Sequence, residues 1–497
     1  MYTVIPWTLL LLSRTAHGTA SNLRSELALP GVASFTPGDE GYANASRAFN
    51  LRFTLEPVAV VYPTTALELA EIVKIGSAHK LRVTARSGGH SYIANGLGGE
   101  NGTLVIDMAK FTNITVDPAT RTAVIGTGNR LGDIALALNE YGFAMPHGSC
   151  PYVGMSALVA TPYGGFGFSS RMWGMTLDNI VSLDVVLSNG TIAKASKTVN
   201  PDLFWAMRGA GPSFRITTAF KFSVYPAPES VIIFQYNWHL DVASAANALG
   251  AFQEFVQEPG LPAEFGADLL LTRGGVEGNV SFVLTGGWHG DPSLLNATVP
   301  PFLATMPPLN AVTLTGGNWI DSVIFLGGGP LNTSTAPDHT DSFYAKSLMT
   351  PEASPMSEAA RTSFVNSLAY DGFASNTSWF IQVELYGGSN SKINSVPLDE
   401  TAFAHRSAMF TIQFYASSFN NAPPYPDFGF TFLDNLVDGI TSNSPADWDY
   451  GAYPNYMEDK LVDYKQRYYG THYPRLLALK KVLDPTDVFD FPVGIND

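Results

Sequence analysis

A glycine-rich turn directly after an apolar run constrains the fold of this chain most. Residues 81–85 have the apolar and β-branched character of a strand, and they are followed by Arg86, Ser87, Gly88, Gly89, His90, Ser91 and Tyr92. Two adjacent glycines let backbone N–H groups approach a phosphate closely, while the histidine faces the bound ligand. The turn therefore favours a nucleotide site, although the same pattern alone is also typical of an ordinary turn.

Cys150 is the only cysteine, and it lies between Gly148 and Pro151. A single cysteine in a secreted chain can form no internal disulfide, so the thiol is buried and inert, free, or used in chemistry. Inert cysteines lie more often in apolar strands or helices than in a loop of this kind. The position of Cys150 therefore favours a functional thiol.

The charge and size of the chain restrict its partners and its organisation. At 497 residues it predicts two or three domains. A net charge of −15 argues against nucleic acid or an anionic membrane surface as a partner, because both require a cationic face. A small-molecule partner is the remaining expectation, and the sequence indicates no particular oligomeric state.

The N-terminus indicates a secreted product. Residues 1–20 contain a short apolar run followed by small residues, which predicts a signal peptide, although no lysine or arginine precedes the run. Acceptor motifs for N-glycosylation agree with the secretory route, although a chain rich in Asn, Ser and Thr also produces them by chance. These motifs begin at Asn44, Asn101, Asn113, Asn189, Asn279, Asn296, Asn332 and Asn376. No later stretch is apolar for long enough to span a bilayer.

Periodicity predicts an α+β fold of two main parts. Strand patterns at 58–62, 81–85, 103–107 and 122–126 alternate with helical patterns near 69–76 and 131–138. From about residue 226 longer strands follow, at 231–240, 280–287, 379–386 and 409–415, which predict an antiparallel sheet covered by helices. We expect helices at 456–468 and 474–481 and a terminal strand after Asp484.

One face of two predicted strands is polar. Strand alternation places Gln382 and Glu384 on one face of the first strand and Gln413 on a corresponding face of the second. Such a face is either a wall that binds a hydroxyl-bearing ligand or a solvated outer surface of the sheet. The alternation alone leaves both alternatives open.

The sequence resembles the berberine-bridge-enzyme-like branch of the vanillyl-alcohol-oxidase superfamily. The resemblance rests on the turn that contains His90, on the loop of Cys150, on the Gly164–Gly167 segment and on later motifs around Asp202, Gln382 and Tyr453. It implies a signal peptide at 1–20, a two-subdomain PCMH-type FAD-binding domain at 30–226, a substrate domain at 227–450 and a C-terminal segment at 451–497 that packs back on the FAD domain. Fungal gluco-oligosaccharide oxidases are the most similar members.

The resemblance also implies a cofactor, FAD, bonded covalently to both His90 and Cys150. The other residues that it assigns to FAD are Arg86, Ser87, Gly88, Gly89, Ser91, Val153, Gly154, Gly164, Gly165, Gly167 and Asn455. Val153 matches a small valine beside the oxygen-reactive carbon of the flavin, so dioxygen is the expected electron acceptor and hydrogen peroxide the product. The loop that ends at Gly164 is about two residues longer than usual near Thr161 and Pro162.

On the substrate side, the resemblance assigns catalysis to Tyr456, Glu384, Tyr92, Gln382 and Gln413. Tyr456 matches a tyrosine that acts as the base, aided by an acid at position 384, where aspartate is usual. A free tyrosine has a pKa of about 10, so we expect a cationic or strongly hydrogen-bonding neighbour to lower the pKa of Tyr456. The expected reaction is oxidation of a carbohydrate hydroxyl.

Two alternatives remain open at this point. The same flavin chemistry suits a dehydrogenase or oxidative cyclase of fungal secondary metabolism, and the long loop and Glu384 also fit an inactive flavoprotein or a carbohydrate-binding protein. The sequence contains no Rossmann G-x-G-x-x-G motif, no P-loop and no G-x-S-x-G elbow. The histidines show no metal-ligand spacing, so no metal site is expected.

Overall fold

The structure, a computed structural model, describes residues 22–155, 163–335 and 338–497. The predicted signal peptide and the loop insertion at Thr161 and Pro162 lie outside the described residues. Within the described part, no helix is long and apolar enough to cross a membrane.

Two sheets and a short strand pair form the N-terminal half. Their strands are β1 Ala33–Phe35, β2 Ala59–Tyr62, β3 Val83–Arg86, β4 Leu104–Asp107, β5 Ile114–Asp117, β6 Thr122–Gly126, β7 Phe143–Ala144, β8 Ile180–Val186, β9 Ile192–Ser196, β10 Ile216–Ser223 and β11 Tyr225–Pro226. The first sheet has the order β1-β2-β4-β3, with β2, β4 and β3 parallel. The second has the order β5-β6-β10-β8-β9 and is antiparallel, and β7 pairs with β11.

Short helices connect and cover these strands. Their bounds are Tyr42–Ala45, Ala66–Ala78, Leu131–Asn139, Ser170–Trp173 and Pro201–Ala206. The helix Ala66–Ala78 begins with a capping box between Thr65 and Glu68, and it buries the predicted stripe of Leu69, Ile72, Val73 and Gly76. The expected strands and helices of this half are therefore present, with ends displaced by no more than three residues.

A seven-stranded antiparallel sheet forms the second half. Its strands are β12 Val231–Asp241, β13 Phe265–Arg273, β14 Asn279–Trp288, β15 Ala311–Gly317, β16 Phe343–Pro351, β17 Thr377–Leu385 and β18 Ala408–Ser418, in the order β15-β12-β14-β13-β17-β18-β16. The accompanying helices are Val242–Gln257, Pro292–Thr298, Pro300–Leu303, Trp319–Leu326, Glu358–Ala369, Asp371–Ala374, Lys392–Ser395 and Asp427–Thr441. The largest buried apolar cluster lies between this sheet and the longer helices.

The C-terminal segment differs from the prediction in two places. Only Tyr464–Tyr469 and Tyr473–Leu483 are helical, and residues 456–463 are not, because the chain turns at Tyr453 and places Tyr456 at a cavity. The terminal strand is absent from the described residues. The carboxylate of Asp484 instead accepts the backbone N–H groups of Val488 and Phe489, which removes the donors that a strand ladder needs.

This segment contacts the N-terminal half directly. The backbone N–H of Val83, at the start of β3, donates to the carbonyl of Val488 over 2.7 Å. The buried ammonium group of Lys480 donates to the carbonyl of Ser213 over 2.8 Å. The chain end therefore connects β3, which leads into the glycine turn, with the residues that precede β10.

Candidate active site

A cavity of about 610 Å³ lies between the N-terminal half and the polar face of the large sheet. It brings together most of the residues that the sequence singles out. Predicted site residues that line it are His90, Tyr92, Cys150, Val153, Gly165, Gly167, Gln382, Glu384, Gln413, Asn455 and Tyr456. Arg86, Ser87, Gly88, Gly89, Ser91, Gly154 and Gly164 are not among the lining residues.

The His90 turn and the Cys150 loop are in backbone contact. A Cβ atom on Gly88 would lie 2.3 Å from the backbone nitrogen of Gly154, and a Cβ on Gly154 would lie 2.1 Å from that of Gly88. Only glycine at both positions permits this approach. Ser87 Oγ also donates to the carbonyl of Thr127 over 2.5 Å. The glycines therefore set the relative position of the two predicted anchors.

The remaining turn residues hold its shape. The guanidinium of Arg86 is paired with Asp107 at 2.6 Å and donates to the carbonyl of Ala45 over 2.6 Å, away from the cavity. Gly89 has a φ of +81°, a left-handed conformation that favours glycine. Ser91 Oγ accepts the backbone N–H of Asn95 over 2.9 Å.

Asp338, which the sequence did not suggest, is the partner of His90. Nε2 of His90 lies 2.9 Å from Oδ2 of Asp338, and the imidazole stacks on Phe49 with 4.1 Å between ring centroids. Because one ring nitrogen is engaged by the carboxylate, the other, Nδ1, is the nitrogen that can form a further bond.

Cys150 presents its thiol to the cavity. The side chain is exposed and lines the same cavity as His90. The surrounding protein raises the pKa of the Cys150 thiol by desolvation, and backbone N–H groups of Tyr152 and Val153 partly offset that increase. An accessible thiol in the same cavity as an oriented imidazole is a suitable pair for holding one ligand at two points.

Tyr453 connects the second glycine loop with the C-terminal segment. Its hydroxyl accepts the backbone N–H of Gly165 over 2.9 Å and the side-chain amide N–H of Asn455 over 2.9 Å. A Cβ on Gly164 would lie 2.4 Å from the same hydroxyl oxygen, and one on Gly167 would lie 1.9 Å from the carbonyl of His147. These glycines allow the loop to lie against its neighbours at the cavity edge.

The polar strand face is a cavity wall, not an outer surface. Tyr456 donates its hydroxyl proton to Oε1 of Glu384 over 2.5 Å. The amide of Gln413 donates to the hydroxyl of Tyr92 over 2.7 Å, and the rings of Tyr92 and Tyr456 stack with 5.9 Å between centroids. Glu384 is only 5% exposed. The strands β17 and β18, the His90 turn and the turn at Tyr453 therefore meet around the hydrogen-bonded pair of Glu384 and Tyr456.

A second carboxyl group lies beside this pair. Asp268 on β13 is directly opposite Glu384 on β17, and Gln382 donates to its Oδ2 over 3.3 Å. Oδ1 of Asp268 and Oε2 of Glu384 are both buried and have no hydrogen-bond partner within the described part of the chain. A lone aspartate in the apolar run of β13 is the one feature of the sequence that could have indicated this group.

Burial and mutual repulsion determine the protonation of these groups. Desolvation and the charge of Asp268 raise the pKa of Glu384 well above its usual range, and desolvation raises that of Asp268 to about 8. Desolvation and the charge of Glu384 also raise the pKa of Tyr456. Among the protein groups around Tyr456, none supplies the expected lowering of its pKa. No lysine or arginine is among the described cavity-lining residues.

Aromatic rings form the wall beside these polar groups. Phe380 and Tyr415 stack with 4.9 Å between ring centroids, and Tyr415 stacks in turn on Phe343 at 4.5 Å. Tyr415 donates its hydroxyl to Asp341 over 2.8 Å. Among the described residues no group of three His, Cys, Asp or Glu side chains is arranged to hold a metal ion.

Comparison with known proteins identifies the family. A model for an FAD-binding domain matches residues 57–196, and a model for berberine and berberine-like domains matches 452–496. A carbohydrate oxidase from Microdochium nivale is 34% identical over 98% of this chain and 97% of its own length. The protein belongs to the berberine-bridge-like family of FAD-linked oxidoreductases. It is therefore an FAD-linked enzyme.

Further members of this berberine-bridge-like family agree. A xylooligosaccharide oxidase from Thermothelomyces thermophilus is 35% identical over 90% of this chain and 89% of its own length. A solved structure of glucooligosaccharide oxidase from Acremonium strictum, described by its 6-S-cysteinyl, 8α-N1-histidyl FAD, superposes with a TM-score of 0.87 at 31% identity, covering 95% of this chain and 99% of that chain. The predicted α+β, PCMH-type fold is thereby confirmed.

The residues of the cavity fit FAD. The close backbone contact between the His90 turn and the Cys150 loop would be impossible with a side chain at Gly88 or Gly154. It leaves an imidazole and an accessible thiol facing one cavity that is large enough for a flavin ring system and a small substrate. The acid–tyrosine pair lines the same cavity.

Proposed function

We propose that the protein is a secreted oligosaccharide oxidase with a bicovalently attached FAD. The observation that carries the proposal is the Tyr456–Glu384 hydrogen bond, which faces the same cavity as His90 and Cys150. The relatives named as carbohydrate and xylooligosaccharide oxidases, which align over almost the whole chain, support the substrate class.

The proposed attachment uses both anchors. Nδ1 of His90 and Sγ of Cys150 would each bond to the flavin ring system, and Asp338 would hold the imidazole through Nε2. The exposed thiol and the described linkage in the Acremonium strictum enzyme support this arrangement. Two bonds keep the ring system fixed in a wide cavity, so a poorly fitting substrate can still be oriented against it.

The aromatic and polar walls favour a sugar. The faces of Phe380 and Tyr415 can contact the C–H surface of a pyranose ring, and Gln382, Gln413 and Asp268 can bond to its hydroxyl groups. Sites that combine apolar contact area with a few fixed polar groups are typical of such ligands. FAD supplies hydride acceptance from the substrate carbon and, with dioxygen, the formation of hydrogen peroxide.

Tyr456 and Glu384 would remove the hydroxyl proton as a relay. Because burial keeps the pKa of Tyr456 high, a free tyrosinate is unfavourable, and the phenol oxygen can accept the substrate proton only as its own proton passes to Glu384 Oε1. The raised pKa of Glu384 makes its carboxylate a stronger proton acceptor. Loss of this proton makes the adjoining C–H bond a hydride donor.

The domain organisation that we propose is the one predicted from the sequence. We propose an FAD-binding domain at 30–226, a substrate domain at 227–450, and a C-terminal segment at 451–497 that supplies Asn455 and Tyr456 to the cavity. Cleavage of residues 1–20 and export are part of the same proposal. N-terminal sequencing of protein recovered from the medium tests this part independently of catalysis.

A peroxide-coupled assay across gluco-, xylo- and chito-oligosaccharides tests the proposed activity. We expect peroxide from at least one of these series, and a Tyr456→Phe protein with full flavin content is the matched control. Flavin-containing protein that produces no peroxide and shows no flavin reduction with any of them would contradict the proposal. Flavin reduction without peroxide would contradict only the assignment of dioxygen as the electron acceptor.

A further inference from the structure

Asp338 and Arg130 form an ion pair beside the two proposed flavin anchors. Oδ2 of Asp338 lies 2.9 Å from Nε2 of His90 and 3.6 Å from Nη2 of Arg130. Desolvation has the largest effect on the pKa of the Cys150 thiol, but the charge of Asp338 also raises this pKa and that of Arg130 lowers it. The ion pair is therefore bonded to one anchor and lies close enough to the other to affect it electrostatically.

The fold holds both members of this ion pair on one helix. Arg130 directly precedes the helix Leu131–Asn139, whose first two backbone N–H groups each donate over 3.0 Å to a carbonyl of the loop that carries the thiol. Five positions before Asp338, Thr333 donates its backbone N–H and its hydroxyl to the carboxylate of Asp133 on the same helix, over 3.2 and 2.6 Å. The place of the ion pair beside the anchors is therefore set by contacts on both sides.

The carboxylate of Asp338 determines which nitrogen of His90 is the nucleophile. An ionised carboxylate can only accept hydrogen bonds, so Nε2 carries the hydrogen and Nδ1 keeps its lone pair. The guanidinium of Arg130 pairs with the same carboxylate oxygen and balances its charge. The imidazole also stacks on Phe49 with 4.1 Å between ring centroids, which fixes the plane of the ring. His90 is thus oriented for attack through Nδ1.

We propose that Asp338 is a positioning residue that promotes covalent attachment of FAD at His90 by accepting the Nε2 proton as the bond forms. The proposal rests on the proposed bicovalent attachment and is independent of the oxidation of sugars. A C–N bond forms between Nδ1 and a methyl carbon of the flavin ring system, and one C–H bond of that methyl group breaks. One proton leaves the methyl carbon and one leaves the imidazole. The two electrons pass into the ring system and from there to dioxygen, which takes up two protons as hydrogen peroxide.

Burial of His90 makes this proton acceptor important. As Nδ1 donates its electron pair, the imidazole gains a positive charge, and its side chain is only 7% exposed, so water compensates little of that charge. The carboxylate of Asp338 forms a charge-assisted hydrogen bond to Nε2 and can take its proton. An amide at position 338 could still accept the hydrogen bond from Nε2, but it could not take the proton. Asp338→Asn therefore separates orientation of the ring from proton acceptance.

Peptide mapping of the Asp338→Asn protein, isolated with its FAD, tests the proposal. We expect the fraction of His90 peptide that carries flavin to fall by about 10-fold or more, because a positioned proton acceptor typically contributes about 10²- to 10⁴-fold to a rate. Because the charge of Asp338 adds to desolvation in raising the pKa of the Cys150 thiol, its removal favours the thiolate, and the thioether should still form. In the Cys150→Ala, Asp338→Asn protein, FAD should bind in the same amount as in Cys150→Ala, but acid should release it.

Asp341→Asn is the matched control, because its carboxyl group lines the same cavity but bonds Tyr415, and its His90 peptide should carry as much flavin as in the parent protein. Asp338→Glu keeps a carboxylate and should carry more flavin at His90 than Asp338→Asn. If the asparagine variant does not fold, Asp338→Ser gives the same comparison.

A parent level of flavin on His90 in Asp338→Asn would overturn the proposal, and so would equal levels in Asp338→Asn and Asp338→Glu. A variant that folds but binds no FAD would overturn it as well, because Asp338 would then be required for binding and not for attachment. Absence of flavin on His90 in the unsubstituted protein would contradict the proposed attachment itself, and this proposal with it.

Discussion

Tyr456 donates its hydroxyl proton to Glu384 across 2.5 Å, joining a turn of the C-terminal segment to the central part of the large sheet. Tyr456 follows Glu384 by 72 positions, and the intervening chain includes β18, whose Gln413 donates to Tyr92 in the His90 turn. Because the rings of Tyr92 and Tyr456 stack on each other, these two hydrogen bonds connect the polar strand face with the residues beside the predicted flavin anchor. In the proposed reaction, these contacts determine where the substrate hydroxyl lies.

Replacing Tyr456 with Phe removes the first step of the proposed relay. We expect the rate of anaerobic flavin reduction by substrate to fall by ~10²- to 10⁴-fold, the usual contribution of positioned acid–base catalysis. Flavin content should not change, because the hydroxyl bonds Glu384 and not His90 or Cys150. Stopped-flow absorbance of the flavin measures the rate. Reduction at the parent rate would remove Tyr456 from the relay.

Asp268 should control the pH dependence of that rate. The relay needs Glu384 in its carboxylate form, so reduction accelerates as pH rises through the pKa of Glu384, and the charge of Asp268 raises that pKa. Asp268→Asn should move the rising limb of the pH profile to lower pH. Asp341→Asn, on another part of the cavity wall, is the control. If the rising limb of the pH profile lies at the same pH in Asp268→Asn as in the parent protein, Asp268 does not raise the pKa of Glu384.

The same carboxyl group predicts a pH effect on stability. The pKa of Asp268 is about 8 in the folded protein, whereas the ordinary aspartate value of 3.8 applies to the unfolded chain. At a pH between these two values, the folded form therefore holds a proton that the unfolded chain has lost. Stability should therefore fall as pH rises from about 3.8 to 8. Thermal melts of Asp268→Asn should show a shallower decrease, whereas Asp438→Asn, at an exposed helix position, should match the parent. A steeper decrease in Asp268→Asn would argue against a protonated Asp268.

Much of this site was predictable because it depends on local pattern. Strand alternation alone placed Gln382 and Glu384 on one face, and the glycine turn after β3 indicated the position of His90. The polar face could not be assigned to a cavity or to solvent from the sequence, since that depends on what packs against the sheet. The family resemblance resolved this ambiguity in favour of the cavity.

Two residues of the site could not be predicted, because each depends on a contact between positions that are far apart in the sequence. Asp338 reaches His90 across 248 positions, and Asp268 faces Glu384 only because β13 pairs with β17 in one register. The predicted C-terminal strand is wrong for a similar reason. The Asp484 carboxylate accepts hydrogen bonds from the backbone N–H groups that a strand would donate to its neighbour.

Cys150→Ala should leave the flavin attached through His90 alone. The thiol is the only one in the chain, so no other residue can form a thioether in its place. Mass spectrometry of a proteolytic digest should then find the flavin on the His90 peptide only, while Ser149→Ala retains the pattern of the parent protein. Persistence of a thioether signature in Cys150→Ala would refute the role of this residue.

The most direct test is peptide mapping of the unsubstituted protein after acid precipitation. The account predicts that the yellow colour remains with the polypeptide, and that a single FAD mass joins the peptide containing His90 to the peptide containing Cys150. Release of all flavin into the supernatant, or separate masses for these two peptides with no flavin on either, would contradict it.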